Sequence, residues 1–205
     1  MKIRKTRTRR IGIYAGVFNP VHAGHITFAL QAMKAAKLDG VVFVPERNPR
    51  FKPETEHFAH RVAMLKRAIR PHKHMAVLEL VDRRFTVNRT WPQMETIFAG
   101  DTLVLLAGSD VALHIPEWPN ASRMLSTCEL IVGVRSSHEL PAVAQRIMSW
   151  EVTPQRLHIF ESYAADVSSG AVREALRERT EAKGLLRSVQ QYASRNWLYV
   201  SLGNS

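Results

Sequence analysis

Two histidines three residues apart stand near the beginning of the chain and could bind phosphate. His22 and His25 flank Gly24, and they follow a short apolar segment that is typical of a β-strand. Residues three apart lie near one face of a helix, and the amide groups at a helix N-terminus favour an anion. Two imidazoles there would add hydrogen-bond donors for phosphate oxygens, and a protonated imidazole would also neutralise charge.

The residues before these histidines fit the same chemistry. Gly16 has no side chain and lets the backbone approach a ligand closely, and Pro20 stiffens the turn. Gly24 leaves space for a bulky group above the start of the helix. A zinc site is the alternative, but it needs a third ligand and supporting hydrogen bonds that the sequence does not locate. We therefore assign no metal ligand and expect phosphate chemistry at residues 16–25.

A second phosphate-binding segment is predicted near the C-terminus. Ser168 and Ser169 are natural helix caps, and Arg173 follows within about one helical turn. A hydroxyl, exposed amides and a guanidinium at one helix start together suit a phosphate. The alternative is an ordinary serine cap followed by a solvated arginine. The phosphate interpretation requires both helix starts to converge on one cleft.

The apolar pattern predicts the sheet that would hold both segments. Short β-branched runs alternate with helical patterns, which favours parallel strands joined by crossover helices. We predict a single Rossmann-like, doubly wound, mainly parallel α/β sheet with helices on both faces, which binds ligands at the carboxyl ends of its strands. The predicted strands are 11–17, 41–44, 76–80, 102–107, 130–134 and 157–160, and the predicted helices are about 24–37, 62–69, 86–98, 169–180 and 184–195.

The composition is that of a globular protein. Of 205 residues, 45% are hydrophobic and 23% are charged. No apolar run approaches the roughly 20 residues of a membrane helix, so we expect no membrane partner. Cys128 is the single cysteine, which excludes an internal disulfide and favours the cytoplasm. We expect one domain at 11–200 between a basic tail at 1–10 and a short tail at 201–205.

The positive charge is concentrated at the N-terminus. Six of the formal +11 charges lie in residues 1–10, which leaves +5 for the rest of the chain. A basic arm can bind nucleic acid through phosphates, but we favour a solvated terminus and expect no other nucleic-acid partner. The remaining charge suits polyanionic substrates. The sequence leaves the oligomeric state open, a homo-oligomer included.

Residues 16–25 resemble the motifs of a known family. The run His-Ala-Gly-His is similar to the His-x-Gly-His motif of the nucleotidyltransferase superfamily, and Gly-Val-Phe-Asn-Pro-Val-His resembles its adenylyltransferases. Class I aminoacyl-tRNA synthetases share a related motif, but this chain lacks their Lys-Met-Ser-Lys-Ser signature. Residues 166–173 resemble the family's Ile-Ser-Ser-Thr-x-Ile-Arg, with Gly170 in place of Thr. The resemblance spans about 11–199 and is nearest to the nicotinate/nicotinamide mononucleotide adenylyltransferases.

The resemblance implies further site residues. Gly108 and Asp110 look like the family's Gly-x-Asp beside the ATP ribose, although a strand end with Asp110 as a helix cap is the alternative. Trp118 matches a tryptophan that stacks on a pyridine ring, with a core role as its alternative, and Arg135 matches an arginine near the nucleotide. The expected catalytic residues are His22, His25 and Arg173, and the expected nucleotide-binding residues are Gly16, Val17, Phe18, Asn19, Gly24, Lys52, Gly108, Asp110, Trp118, Arg135, Ser168 and Ser169.

The implied reaction is transfer of AMP from ATP to the phosphate of nicotinate or nicotinamide mononucleotide. Pyrophosphate leaves and a dinucleotide of NAD biosynthesis forms. We expect in-line attack without a covalent intermediate, with Mg²⁺ bound through the ATP phosphates. The histidines would serve the phosphates, while Ser169 and Arg173 would hold the β and γ phosphates.

Two departures from that branch lie on the acceptor side. The chain has Arg50-Phe51 where the branch has Pro-His, and Arg84 where it has Ser. The motifs expected to face ATP match the family's pattern more closely than the motifs expected to face the acceptor. The alternatives are therefore a related enzyme with another phosphate acceptor, such as phosphopantetheine, and a nucleotide-binding homologue with weak or lost activity.

Overall fold

Six strands form one parallel sheet in the computed structural model, which describes residues 7–49, 54–163 and 166–200. The strands are β1 (Arg10–Gly16), β2 (Gly40–Pro45), β3 (Met75–Val77), β4 (Thr102–Gly108), β5 (Glu129–Val134) and β6 (Leu157–Glu161). They lie in the order β3-β2-β1-β4-β5-β6, and each neighbouring pair is parallel. Strand order reverses between β1 and β4, where doubly wound sheets bind their ligands.

Helices cover both faces of this sheet. They are α1 (Ala23–Ala36), α2 (Phe58–Ile69), α3 (Thr90–Ile97), α4 (Ser109–Ala112), α5 (Ala121–Leu125), α6 (Leu140–Met148), α7 (Ser169–Glu178) and α8 (Arg187–Arg195). Successive side chains of a strand point to opposite faces. Leu105 accordingly packs with residues of α3, α5 and α6, while Leu106 packs with residues of α1, α2 and α8. The core therefore lies on both sides of the sheet.

The predicted α/β class and parallel sheet are confirmed, with differences at element ends. β3 ends at Val77 rather than 80, and the Leu80 carbonyl bonds to a side chain instead of a neighbouring strand, since it accepts from Arg47 Nε at 2.8 Å. α3 begins at Thr90 rather than 86, because the Thr90 hydroxyl accepts from the Thr86 amide in a preceding turn. Three helices, α4, α5 and α6, were not predicted; two of them have only four and five residues.

No helix within the described ranges combines the length and apolar character that a membrane span requires.

Ion pairs between arginine and acidic residues lie at the edge of the sheet where the strands begin. Arg7 pairs with Asp39, and Arg9 pairs with Asp101 at 2.6 Å. Arg10, inside β1, holds Glu129 with both terminal nitrogens, and these two side chains are 20% and 8% exposed. Residues 7–10 are therefore bound to the sheet, which corrects the expectation of a solvated tail for that part. Residues 1–6 and 201–205 lie outside the described residues, and their assignment as tails stays a prediction.

We predict that Glu129→Gln lowers the free energy of unfolding by about 3 kcal/mol, because it leaves the Arg10 guanidinium buried without its carboxylate. Urea unfolding at pH 7 measures the change. Glu79→Gln is the control, since Glu79 pairs with Lys66 where the two side chains are 38% and 57% exposed. That control is expected to lose less than about 1 kcal/mol. Equal losses in the two variants would contradict the assignment.

Candidate active site

A cleft of about 940 Å³ opens at the carboxyl ends of the strands. It lies where β1 and β4 meet and the strand order reverses, so the sheet topology alone creates the crevice. Its walls come from the loops after β1, β2, β4 and β5 and from the starts of α1 and α7, and they include Gly16, Glu46, Gly108, Arg135, His25 and Ser169.

The rings of the two histidines lie side by side at the start of α1, tilted by 36°. His22 precedes the first helical residue and is 6% exposed, and the ring centroids of His22 and His25 are 3.8 Å apart. The His22 backbone N–H donates to His25 Nδ1 at 3.2 Å. Because this nitrogen accepts, a neutral His25 carries its proton on Nε2. Its ring therefore offers an Nε2–H group for a ligand oxygen.

Burial keeps both imidazoles neutral near pH 7. Desolvation lowers the pKa of His22 to about 4, and desolvation together with neighbouring His22 lowers the pKa of His25 well below its usual value. Burial thus opposes a protonated imidazole, whereas a phosphate beside the ring would raise its pKa, so charge neutralisation by these histidines stays a prediction. His22 Nδ1 is buried and has no hydrogen-bond partner among the described residues. A ligand group could satisfy it.

The turn before the histidines is set by an aromatic ring. Phe18 has a left-handed φ of 50°, and its ring packs edge-on against Tyr14 at 5.5 Å and His25 at 5.1 Å. A Cβ added at Gly16 would lie 3.1 Å from that ring. Glycine is thus needed at 16 for the Phe18 ring as well as for the cleft. The predicted residues Gly16, Val17, Phe18 and Gly24 all line the cleft.

The second predicted segment lies against the first. Ser168 caps α7, with its hydroxyl accepting from the Ala171 amide at 3.2 Å. The Ser169 hydroxyl donates to the Pro20 carbonyl at 2.9 Å, and Arg173 Nη1 donates to the Asn19 carbonyl at 2.8 Å. Ser168 and Ser169 line the cleft, whereas Arg173 is not among its lining residues. The two helix starts therefore share one cleft, and α7 is bonded directly to the loop after β1.

Asn19 braces this loop instead of facing the cleft. Its side-chain oxygen accepts from the Glu56 amide at 3.2 Å and from the Tyr199 hydroxyl at 2.8 Å, while its amide donates to the Glu54 carbonyl at 3.3 Å. The side chain is buried and is not part of the lining. The expected contact from Asn19 to a nucleotide is therefore replaced by a structural link to the C-terminal segment.

Arg61 is a buried residue that the sequence reasoning did not place at the site. It is 1% exposed, and its guanidinium donates to the carbonyls of Val17 at 2.6 Å, Arg47 at 2.9 Å and Glu56 at 2.9 Å. These carbonyls belong to two loops, since Val17 follows β1 whereas Arg47 and Glu56 both lie between β2 and α2. One side chain therefore links the two loops. The sequence contains a sign of this burial, because Arg61 falls on the apolar face of α2 together with Leu65.

The loop after β4 brings a carboxylate to the cleft. Gly108 is the N-cap of α4, and Asp110 lies in its first turn, so the alternative of Asp110 as the cap is wrong. A Cβ at Gly108 would lie 2.6 Å from Asp110 Oδ1, so glycine there makes room for this carboxylate. Burial and the charge of Asp110 together raise the pKa of the Tyr14 hydroxyl.

The opposite wall of the cleft is aromatic and basic. Trp118 is half-buried, packs against the core, and lies 6.1 Å from the Phe85 ring, centroid to centroid. Both rings line the cleft. Trp118 therefore contributes to the core, as the alternative stated, and also lies at the candidate site. Arg135 is exposed on the lining just after β5. Lys52 lies outside the described residues, and its role stays a prediction.

Potential metal ligands are dispersed in this site. In the part of the chain that the structure describes, no three His, Cys, Asp or Glu side chains are grouped so as to hold a metal ion.

The fold and cleft together define a class. A doubly wound parallel sheet with two helix starts at its switch point is a nucleotide-binding α/β domain. The sequence model described as "Cytidylyltransferase-like" matches residues 13–175. The chain belongs to this cytidylyltransferase-like family.

Named relatives share nearly the whole length. The chain is 30% identical over 203 residues to a Synechococcus sp. protein named "Probable nicotinate-nucleotide adenylyltransferase", covering 94% of this chain and 98% of the relative. It is 27% identical over 196 residues to a protein of the same name from Carboxydothermus hydrogenoformans, covering 93% and 98%.

Solved structures agree in fold. The Plasmodium falciparum nicotinic acid mononucleotide adenylyltransferase complexed with NaAD superimposes with a TM-score of 0.76 at 16% identity, covering 93% of this chain and 97% of that one. A structure described as "Putative Nicotinate-nucleotide Adenylyltransferase" from Vibrio parahaemolyticus gives 0.67 at 13% identity, covering 95% and 97%. These similarities bear out the Rossmann-like fold.

We predict that acidification costs stability through His22. An imidazole with a folded pKa of about 4 binds fewer protons than one with a pKa of 6.5 in the unfolded chain. Its contribution is therefore full above pH 6.5 and falls as pH drops toward 4, by about 2 kcal/mol at pH 5. Urea unfolding at pH 7 and pH 5 should show a smaller loss for His22→Gln than for the unmodified protein. The same loss in both proteins would contradict the assignment.

Proposed function

We propose that this chain is a nicotinate-nucleotide adenylyltransferase. It transfers AMP from ATP to the phosphate of nicotinate mononucleotide, releases pyrophosphate and forms the dinucleotide used in NAD biosynthesis. The observation that carries the proposal is the meeting of the α1 and α7 starts at one cleft, with His22 and His25 on one and Ser169 on the other. The names of the full-length relatives support the acceptor.

The reaction needs no protein nucleophile. An oxygen of the acceptor phosphate attacks the α-phosphorus of ATP, the bond from that phosphorus to the bridging oxygen breaks, and the electron pair leaves with pyrophosphate. A phosphate monoester is already anionic near neutral pH, so little general-base help is required. Catalysis then comes from positioning and from stabilising the charge on the phosphates.

Each side of the cleft has a separate task in this mechanism. Neutral His22 and His25 donate N–H groups to the reacting phosphates, which avoids the cost of holding buried cations. The Ser168 hydroxyl and the backbone amides of Ser169 and Gly170 hold the departing pyrophosphate at the start of α7, since the Ser169 hydroxyl already donates to the Pro20 carbonyl. Arg173 was expected to bind phosphate directly, but it donates to the Asn19 carbonyl and lies off the lining. We reassign it as a positioning residue for the loop.

In this proposal, Mg²⁺ binds through the phosphates of ATP. ATP would arrive as its Mg²⁺ complex, and Mg²⁺ commonly keeps several waters and takes phosphate oxygens. Glu46 and Asp110 are the carboxylates that the described residues place on the cleft lining. We keep the cytoplasm as the expected location, since Cys128 is the single cysteine of the sequence.

Neither alternative function is favoured by a specific feature. Gly170, which departs from the family motif, is exposed, and an added Cβ would come no nearer than 3.7 Å to Ser168 Oγ. The departure removes one hydroxyl but leaves the α7 start intact, so it does not indicate an inactive homologue. The Phe85–Trp118 wall suits a flat aromatic acceptor better than the flexible chain of phosphopantetheine.

A substrate panel tests the proposed function. Nicotinate mononucleotide, nicotinamide mononucleotide and phosphopantetheine are each offered with ATP and with CTP, and pyrophosphate release is measured. We expect the highest kcat/KM for nicotinate mononucleotide with ATP. Turnover of phosphopantetheine, with no turnover of either mononucleotide, would show that phosphopantetheine is the acceptor. ATP binding by calorimetry without turnover of any acceptor would show a nucleotide-binding homologue.

We predict that His25→Ala lowers turnover at least about a hundredfold while the protein stays folded. The variant removes a fixed donor that acts on the reacting phosphates, a loss of the size found for oxyanion donors. Pyrophosphate release with ATP and nicotinate mononucleotide measures the effect, and circular dichroism checks the fold. His114→Ala is the matched control, because His114 is exposed and outside the cleft lining. Near-normal turnover in His25→Ala would remove His25 from the mechanism.

A further inference from the structure

Two loops on the β2–β3 side of the cleft are joined by three hydrogen bonds. The Asn48 N–H donates to the Arg83 carbonyl at 2.8 Å, and Arg84 Nε donates to the Asn48 carbonyl at 3.0 Å. The Phe85 N–H donates to Glu46 Oε1 at 3.3 Å. The loop after β2 therefore fixes residues 83–85 in place, and with them the direction of the Arg84 side chain.

Arg84 is a cation on the cleft wall without a protein counter-ion in the described ranges. Three arginines line the cleft, namely Arg84, Arg89 and Arg135. Arg89 lies 3.6 Å from the Asp82 carboxylate, whereas Arg84 forms no ion pair with another described residue. Its Nε is engaged by a carbonyl, and no described group accepts from its two terminal amino groups. Those two groups form the fork that binds a carboxylate with two parallel hydrogen bonds.

The residues beside Arg84 indicate which ligand group its two terminal amino groups would contact. Phe85 follows Arg84 directly, and its ring forms the aromatic wall with Trp118. Arg84, Phe85 and Trp118 all line the same cleft, so a pyridine ring seated on this wall would share the cleft with the Arg84 guanidinium. A carboxylate substituent offers acceptor oxygens and a negative charge. A carboxamide has no charge and turns an NH₂ donor toward the arginine donors.

We propose that Arg84 is a specificity-determining residue that binds the carboxylate of nicotinate mononucleotide and so selects the acid over the amide. This inference rests on the proposed function. It adds a side-chain contact that this chain carries at a position where the related branch has serine.

The test compares two acceptors in three variants. kcat/KM is measured with ATP and either nicotinate or nicotinamide mononucleotide for the unmodified protein, Arg84→Gln, Arg84→Lys and the control Arg83→Gln. Arg83 is exposed, carries the same charge one residue away, and lies outside the cleft lining. We expect Arg84→Gln to lower kcat/KM for the nicotinate compound about tenfold or more, as for a lost charge-assisted bond. The nicotinamide compound should change less than about threefold, Arg84→Lys should recover part of the preference, and Arg83→Gln should leave the ratio unchanged.

The outcomes distinguish failure of the Arg84 inference from failure of the proposed function. An unchanged ratio in Arg84→Gln overturns the inference while turnover of nicotinate mononucleotide by the unmodified protein upholds the function. Equal losses with both acceptors also overturn it, because Arg84 would then serve a group that both compounds share. If the unmodified protein turns over neither acceptor, the proposed function fails and the inference fails with it.

Discussion

The bonds from α7 to the loop after β1 are the constraint on which the site depends. Ser169 and Arg173 donate to consecutive carbonyls, those of Pro20 and Asn19, from a helix about 150 residues further along the chain. Without these bonds, two helix starts would merely lie at the same edge of a sheet. With them, the imidazoles of α1 and the capped N-terminus of α7 become two walls of a single cleft, as the proposed binding of one polyphosphate requires.

The loop held in this way is built from buried polar groups, each with specific partners. Arg61 satisfies three carbonyls and Asn19 bonds to Tyr199, so neither is available to bind substrate. Buried networks of this kind are rigid because a lost partner leaves a polar group without water. The same burial favours the neutral forms of His22 and His25. The site therefore presents preorganised N–H donors, and the charge of the phosphates is met by helix starts and hydrogen bonds more than by cations at this point.

Much of the fold could be predicted from the sequence, since strand runs such as 102–107 are apolar and bounded by glycine. The lining residues of the two motifs were also found, because their spacing places them at helix starts. The roles of Asn19 and Arg173 were not, because both depend on contacts between residues more than 150 positions apart. Local spacing likewise gives no measure of burial, so the neutral state of the histidines could not be read from their sequence motif.

A crystal structure with a non-hydrolysable ATP analogue and Mg²⁺ tests the central claim most directly. The account predicts that one triphosphate spans both helix starts. The α-phosphate lies within hydrogen-bond distance of His22 or His25, and the terminal phosphates lie on the Ser168 hydroxyl and the first amides of α7. A triphosphate that contacts only one of these helix starts, or that lies outside the cleft, would contradict it.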